Sequence, residues 1–373
     1  MRALIASSST GGHIYPAIAV AREIVKRDPG SEILFVGTRW EVGKNIVEAS
    51  GYRQAFIEAS GFDRKNPFKN IAVLAGVLKS SKDIKRILEE FKPDVVIGSG
   101  GYVSGPVLRI AKKRGLKTFL MEQNVMPGTA NLIAEKYADR VFVAFEETAR
   151  HFKKPEKVIV SGNPVRSAFM ESTEGREKFQ EKYGVPKGAM CVLLFGGSQG
   201  AEAMNSAGIR LIESLGGIDS LNGHKKYYVI LIAGRQMYPA VKAKLEAGAA
   251  ADYIGYKLID YSEEIYELYA AADLIISRAG ALTVTEIAHS GKASILIPSP
   301  NVTKNHQYYN AKALEDAGAA KILTEEKMIE GGLTDAVMEL AADRDKLYEM
   351  GEKAAATAKT EAAKVIVNEL FGN

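Results

Sequence analysis

Two stretches of this sequence follow one plan: Leu4-Ile5-Ala6-Ser7-Ser8-Ser9-Thr10-Gly11-Gly12-His13 and Val192-Leu193-Leu194-Phe195-Gly196-Gly197-Ser198-Gln199-Gly200-Ala201. Each opens on successive apolar residues, passes through a loop of small residues, and enters a helical pattern, from about Tyr15 in the first and about Ala201 in the second. Side chains that are apolar on consecutive positions belong to a strand buried on both faces. A strand, a glycine loop and a helix make the first βα unit of a doubly wound domain, so the plan met twice predicts two such domains in tandem. Working outward, apolar runs rich in Ile, Val and Leu recur at 3–6, 33–36, 95–97, 141–143, 158–160, 192–195, 228–232, 274–276 and 294–297, separated by helical patterns. Such alternation implies parallel sheets, and the fold class is α/β.

At 373 residues and 46% hydrophobic, the chain exceeds what one core usually holds. The break is expected at Ser161-Gly162-Asn163-Pro164, where Gly and Pro follow the run Val158-Ile159-Val160. This gives an N-terminal domain over 1–163 and a C-terminal domain over 164–352. The final segment, 353–373, is rich in Ala, Lys and Glu, reads as a helix, and is in a position to cross back and complete the first domain.

Composition narrows the function classes. The opening residues hold too few apolar positions for a signal-peptide core, and stretches such as Ile71 to Leu78 fall short of the roughly 20 residues a spanning helix needs. The single cysteine, Cys191, lies within an apolar run and reads as a buried strand residue, which leaves no internal disulfide and fits a reducing compartment. Through residue 163 there are 26 Lys and Arg against 17 Asp and Glu, a balance of +9, and 23 against 28 in the remainder. A basic first half suits an anionic partner such as phosphates or acidic lipid headgroups, although scattered solvated charges give the same count.

Two loops carry the chemistry of an anion site. In Gly196-Gly197-Ser198-Gln199-Gly200, glycine lets backbone approach a ligand, the next helix start offers N–H groups, and Ser198 adds a hydroxyl. In Ser277-Arg278-Ala279-Gly280-Ala281-Leu282-Thr283-Val284-Thr285-Glu286 the chain turns at Gly280 into a helix near Leu282. Backbone N–H groups at Leu282 and Thr283 would meet a phosphate and Glu286, one turn on, a ribose diol. Glu near a helix start also favours the helix dipole with no ligand. The dinucleotide pattern G-x-G-x-x-G is absent from both units, and no acidic residue closes the run at 33–36, so NAD chemistry is not expected.

Taken together, Thr10-Gly11-Gly12-His13, Gly100-Gly101-Tyr102, Glu122-Gln123-Asn124, Gly162-Asn163-Pro164-Val165-Arg166, the two loops above and His306-Gln307-Tyr308-Tyr309-Asn310-Ala311 resemble, in order and context, the MurG family of peptidoglycan-synthesis glycosyltransferases, from residue 1 to about 325. The resemblance implies a GT-B architecture, two Rossmann-like domains facing across a cleft. It implies inverting transfer of GlcNAc from UDP-GlcNAc to the C4 hydroxyl of MurNAc in undecaprenyl-linked lipid I, giving lipid II, without cofactor or metal. It also implies a peripheral protein on the cytoplasmic face of the cell membrane, working beside other cell-wall synthesis proteins, with no nucleic-acid partner. Residue by residue, it puts Ser198 and Arg166 near the donor diphosphate, Leu282 and Thr283 at its backbone, Glu286 on the ribose, and Gln307 and Asn124 on GlcNAc. Thr10, Gly11 and Gly12 would face the acceptor diphosphate or the reacting centre, with His13 as general base, a role an imidazole can take near neutral pH.

Two departures stand out. Relatives often carry glycines where this chain has Ser7-Ser8-Ser9, and an apolar residue against uracil where it has Ser262, with Ile259 the other candidate. Asp343-Arg344-Asp345 matches the metal-binding pattern of another glycosyltransferase architecture but reads as a solvated helix face. Phe68, Ile71, Leu74, Val77 and Leu78, flanked by Lys65, Lys69, Lys79, Lys82, Lys85 and Arg86, form a basic amphipathic segment suited to acidic headgroups; a helix packed on its own core gives the same stripe. A diacylglycerol glycosyltransferase would share the donor loops and differ around Tyr102 and Glu122 to Met126. A UDP-GlcNAc epimerase would share the fold and lack an acceptor loop.

Overall fold

In the computed structural model, residues 1–8, 10–39, 41–58, 69–171, 174–222 and 226–372 are described. The chain forms two compact units, one of Met1–Ser167 with Lys359–Asn373 and the other of Ala168–Ala358.

The first unit contains a seven-stranded parallel sheet: β1 (Arg2–Ala6), β2 (Glu32–Gly37), β3 (Arg53–Phe56), β4 (Val95–Gly98), β5 (Lys117–Glu122), β6 (Arg140–Val143) and β7 (Val158–Val160), in the order β3-β2-β1-β4-β5-β6-β7. Side chains leave a strand alternately on its two faces. Ala3 and Ile5 therefore join Ile14, Ile18 and Ile24 of the helix Gly11–Arg27. Leu4 and Ala6 join Val107 and Leu108 of the helix Ser104–Lys113 on the other face. That two-sided burial is why β1 reads as an unbroken apolar run.

The second unit has a six-stranded parallel sheet of β8 (Met190–Phe195), β9 (Tyr227–Ile232), β10 (Tyr256–Ile259), β11 (Leu274–Ser277), β12 (Ala293–Leu296) and β13 (Ala320–Ile322), in the order β10-β9-β8-β11-β12-β13. All residues of β8 are buried, Cys191 among them, and burial pushes its thiol up to about 12. Ala233 and Gly234 close on Gln199 and Gly200 at the end of this strand pair, and a Cβ on Gly200 would lie 2.1 Å from the Ala233 carbonyl oxygen.

Nine strands coincide with the apolar runs. Four others, β3, β5, β10 and β13, are absent from that pattern. Three of them are sheet edges, where one side lacks a covering neighbour and polar residues such as Arg53, Gln54 and Lys257 are tolerated. β5 is interior, but Lys117 and Glu122 shorten its apolar stretch.

The expected single helix over 353–373 is two helices. Arg344–Thr357 stays with the second unit, where Gly351 lies against the Gly291 backbone: a Cβ there would be 2.5 Å from the Gly291 carbonyl oxygen. Ala362–Phe371 packs on Gly11–Arg27 in the first unit through Ile366, Val367 and Leu370. The strand-to-unit passage extends beyond Asn163 to Ser167. Gly162, at φ +84°, packs against Lys359 and Ala362, and Arg22 Nη1 donates to Ser167 Oγ at 3.3 Å, so this segment remains with the first unit.

Within the helix Lys69–Phe91, Ile84, Ile87, Leu88 and Phe91 enter the core, while Lys82, Lys85 and Arg86 are exposed. Lys65 and Phe68, and the side chains of Lys69, Ile71, Leu74, Val77, Leu78 and Lys79, lie outside the described residues, as does Ser9. Among the described residues no helix is long and apolar enough to cross a membrane. Asp343 caps the helix Arg344–Thr357, accepting from the Lys346 backbone N–H at 2.9 Å.

Candidate functional site

Both sheets reverse their strand order once, between β1 and β4 in the first unit and between β8 and β11 in the second. At such a point the loops leaving neighbouring strands diverge and open a crevice at the carboxyl ends. Thr10 to His13 follow β1, Ser198 follows β8, and Leu282, Thr283 and Glu286 follow β11, at these two points; Asn124, Arg166 and Gln307 come after β5, β7 and β12.

In the first unit, β1 runs through the buried Ser7 and Ser8 to Thr10, the extended residue preceding the helix Gly11–Arg27. Thr10 and Gly12 are exposed and His13 is half-buried. His13 is held on several sides. Its backbone N–H donates to the Thr10 carbonyl at 3.0 Å, its carbonyl accepts from Ser99 Oγ at 2.6 Å, and its Nδ1 lies 2.9 Å from Gln123 Oε1. Gly100 explains itself here: a Cβ on it would come within 2.6 Å of His13 Nδ1, so the imidazole fits only against a glycine. Gly101 does the same for Ser8, with the added carbon 2.4 Å from Ser8 Cβ.

Glu122, beside Gln123 in the chain, is only 3% exposed. Its Oε1 accepts from the Asn124 backbone N–H at 2.9 Å and from Asn124 Nδ2 at 3.1 Å. Its Oε2 accepts from the Gly128 N–H at 2.9 Å and from Asn131 Nδ2 at 2.8 Å. Four donors on one buried carboxylate fix the path of residues 122–131. The amide nitrogen of Asn124, expected on the sugar, is engaged in that internal network, and Asn124 belongs to the first unit.

Arg166, expected with the donor loops, also belongs to the first unit. Its guanidinium sits 4.8 Å from the centroid of the Tyr15 ring, and that ring also borders Gly11. The stacking holds its charge near the start of the helix that carries His13.

In the second unit, the glycine loop turns through Gly197 (φ +104°) and Gly200 (φ +78°), with the Gly200 N–H donating to the Gly197 carbonyl at 3.0 Å. Ser198 is exposed at its tip, and Asn205 Nδ2 anchors the far side by donating to the Ala233 carbonyl at 2.9 Å. After β11, Gly280 precedes the helix Ala281–Ser290, whose first intrahelical bond runs from the Val284 N–H to the Gly280 carbonyl at 2.9 Å. Ala281, Leu282 and Thr283 therefore supply the first-turn N–H groups.

Glu286 is 3% exposed, and Tyr269 Oη donates to its Oε2 at 3.4 Å. Gln307 is half-buried, its Oε1 accepting from the Ser299 N–H at 2.8 Å, which directs its amide nitrogen the other way. Ile259 ends β10, and its carbonyl accepts from the Ala233 N–H at 2.9 Å; Ser262 follows, half-buried. A cavity of about 560 Å3 in this unit is lined by Pro298, Pro300, Asn305, Tyr308, Ile322 and Thr324 among others, and none of the predicted donor residues lines it.

Sequence reasoning missed two braces of the second phosphate-type loop. Arg278 pairs with Glu325 and donates to the Ile297 carbonyl at 3.2 Å, and the fully buried Asn310 donates to the Ala279 carbonyl at 3.2 Å. Ser99 and Gln123 were missed likewise. The available signal was position for three of them: Ser99, Gln123 and Arg278 each come directly after a strand, β4, β5 and β11, whereas Asn310 lies inside the helix His306–Asp316.

The chain matches the glycosyltransferase family 28 N-terminal domain over residues 4–143 and the family 28 C-terminal domain over residues 191–366. A UDP-N-acetylglucosamine--N-acetylmuramyl-(pentapeptide) pyrophosphoryl-undecaprenol N-acetylglucosamine transferase from Caldanaerobacter subterraneus subsp. tengcongensis is 39% identical, covering 97% of each chain. The enzyme of the same name from Thermoanaerobacter sp. is also 39% identical, over 98% of each. The chain belongs to the MurG family of glycosyltransferases. Crystallographic MurG of Acinetobacter baumannii superposes with a TM-score of 0.76 at 27% identity, covering all of this chain and 99% of the other. A UDP-GlcNAc 2-epimerase from Neisseria meningitidis superposes at 0.70 with 14% identity, which shows the fold alone. The two Rossmann-like units of this MurG-family chain are thus the pair of domains that GT-B enzymes share.

Proposed function

We infer that this chain transfers GlcNAc from UDP-GlcNAc to the C4 hydroxyl of MurNAc in undecaprenyl-linked lipid I, with inversion, releasing UDP and giving lipid II. The observation that carries the reading is the near-complete length over which it matches transferases of that name, together with a histidine held in the first turn of the helix after β1. The epimerase likeness extends to fold only.

On this reading the first unit serves the acceptor and the second the donor. In the second unit, Ser198 and the N–H groups of Leu282 and Thr283 bind the diphosphate, as helix starts favour anions. Glu286 takes the ribose, Gln307 turns its amide nitrogen to the sugar, and Ile259 or Ser262 lies by uracil. In the first unit, His13 Nε2 removes the proton from the C4 hydroxyl as its oxygen bonds to the anomeric carbon and the bond to UDP breaks. The charge that builds on the leaving diphosphate is met by those helix-start dipoles. Thr10, Gly11 and Gly12 face the acceptor's own diphosphate or the reacting centre, and Arg166 and Asn124 keep the roles that the family resemblance gives them, on the donor diphosphate and on GlcNAc. The exposed Lys82, Lys85 and Arg86 and the positive balance of the first 163 residues support docking of this unit on the anionic, cytoplasmic leaflet that holds lipid I.

The test is UDP release from UDP-GlcNAc by purified protein, with and without a lipid I analogue and in the presence of EDTA. Release that needs the analogue and ignores EDTA is expected; release with diacylglycerol in place of the analogue would transfer the reading to a glycolipid synthase. His13→Ala should leave UDP-GlcNAc affinity within about twofold and lower turnover by about 100-fold or more, the usual range for losing a general base. Unchanged turnover would remove His13 from the chemistry.

A further inference from the structure

We propose that Gln123 is the positioning residue of the reaction, fixing His13 as the Nδ1–H tautomer so that the lone pair of Nε2 points at the acceptor. The proposal deepens the reading of His13 as the base and rests on it. An imidazole can present a lone pair from either ring nitrogen, and which one it presents is decided by the hydrogen bond made at the other.

Gln123 is 2% exposed and cannot choose its orientation freely. Its amide nitrogen donates to the Ser99 carbonyl at 3.1 Å. A carbonyl only accepts, so turning the amide over would set two oxygens against each other. The side-chain oxygen therefore faces His13 Nδ1, at 2.9 Å, and an amide oxygen also only accepts. Nδ1 must carry the proton. The same Ser99 donates its hydroxyl to the His13 carbonyl at 2.6 Å, which closes a ring of contacts: imidazole, Gln123, Ser99 and the His13 backbone. Gly100 lies against this ring, where a Cβ would come within 3.3 Å of Gln123 Oε1 as well as 2.6 Å of His13 Nδ1. The buried carboxylate of the adjacent Glu122 is turned to Asn124, Gly128 and Asn131.

The arrangement has the logic of a serine-protease triad, in which the third member holds the imidazole in one tautomer. Here that member is a neutral amide. It selects the tautomer without placing a full negative charge on the ring.

The decisive measurement is a two-bond proton–nitrogen correlation spectrum of the histidine side chains in uniformly 15N-labelled full-length protein, with the His13 signals assigned by their loss in His13→Asn. Under conditions where imidazole is neutral, the expected wild-type pattern is a protonated Nδ1 and an unprotonated Nε2. An Nε2–H pattern in the wild type overturns the proposal without any variant being made. In Gln123→Leu, the pattern should shift toward Nε2–H, kcat should fall about 10- to 100-fold, as for other groups that orient a functional histidine from behind, and KM for UDP-GlcNAc should stay within about twofold. Gln123→Glu keeps an acceptor for Nδ1–H but sets its second oxygen against the Ser99 carbonyl, so it should hold the tautomer and recover only part of the lost kcat. A Gln123→Leu protein with wild-type spectrum and wild-type kcat would also overturn the proposal. If instead the tautomer is as stated while His13→Asn keeps full turnover, the assignment of His13 as base fails and the tautomer result stands.

Discussion

A glycine is often read as a flexible turn, but Gly100 is better understood as a space. At φ +103° it adopts backbone that side chains avoid, and the volume a methyl group would fill belongs to the His13 imidazole. Gly100→Ala should therefore act twice. Backbone strain of this kind costs about 1–3 kcal/mol, which will lower the melting temperature. The displaced ring should reduce kcat more than tenfold while UDP-GlcNAc binding is retained. A melting curve and steady-state kinetics check the two parts separately, and a stable variant with full kcat would show that the ring does not need its present seat. The same reasoning bears on Ser8, whose side chain occupies the space left by Gly101. Serine at that point of the loop is accommodated because its neighbour across the switch point has no side chain.

Among elements, the helix Ala281–Ser290 depends on its neighbours to present its start correctly. The loop before it is tied down by Asn310, three-dimensionally adjacent though far along the chain, through the bond to the Ala279 carbonyl at 3.2 Å. Asn310→Ala leaves that carbonyl buried without this donor, a loss of about 1–3 kcal/mol. The loop then presents its N–H groups less regularly, and UDP affinity should fall several-fold. Calorimetric titration with UDP, alongside a thermal melt, tests this; unaltered affinity would mean that Arg278 and its partner Glu325 suffice. The motif His306 to Ala311 thus mixes a half-buried ligand-type residue, Gln307, with a purely supporting one. Edge strands show the complementary case. β3, β10 and β13 carry polar residues because only one side of each is paired, and for that reason their sequences look like loops.

For the whole molecule, the notable feature is that the first unit is finished by the last residues. Ile366, Val367 and Leu370 fill the same apolar layer as Ile14, Ala17 and Ile18 of the helix that bears His13 at its start. Leu370, 2% exposed, should be costly to truncate: Leu370→Ala is expected to remove about 2–5 kcal/mol from this unit. Hydrogen exchange read by mass spectrometry should show faster exchange in peptides from Met1–Ser167, with those from Ala168–Ala358 nearly unchanged, because the second unit keeps its own core. Equal acceleration in both units would show that they unfold as one.

Apolar runs on successive residues determined the class of fold, since a parallel sheet covered on both faces has no other way to be written. The glycine loops after β1 and β8, and the glycine before the helix Ala281–Ser290, were legible for the same reason: close backbone approach leaves a compositional mark. Leu282, Thr283 and Glu286 could be set at a helix start from spacing alone. What the sequence could not carry was which distant residues meet. The bond from Gln123 to His13 spans strands β1 and β5, and nothing local to Gln123 distinguishes it from its neighbour Glu122, whose side chain turns the opposite way into a buried network. Arg166 falls after the Gly-Pro break at 161–164 that reads as the domain boundary, yet it stacks on Tyr15 and belongs to the first unit. Chain order fixes local geometry through backbone and side-chain sterics, whereas contacts across a sheet depend on strand order, and strand order emerges only when all the layers pack together.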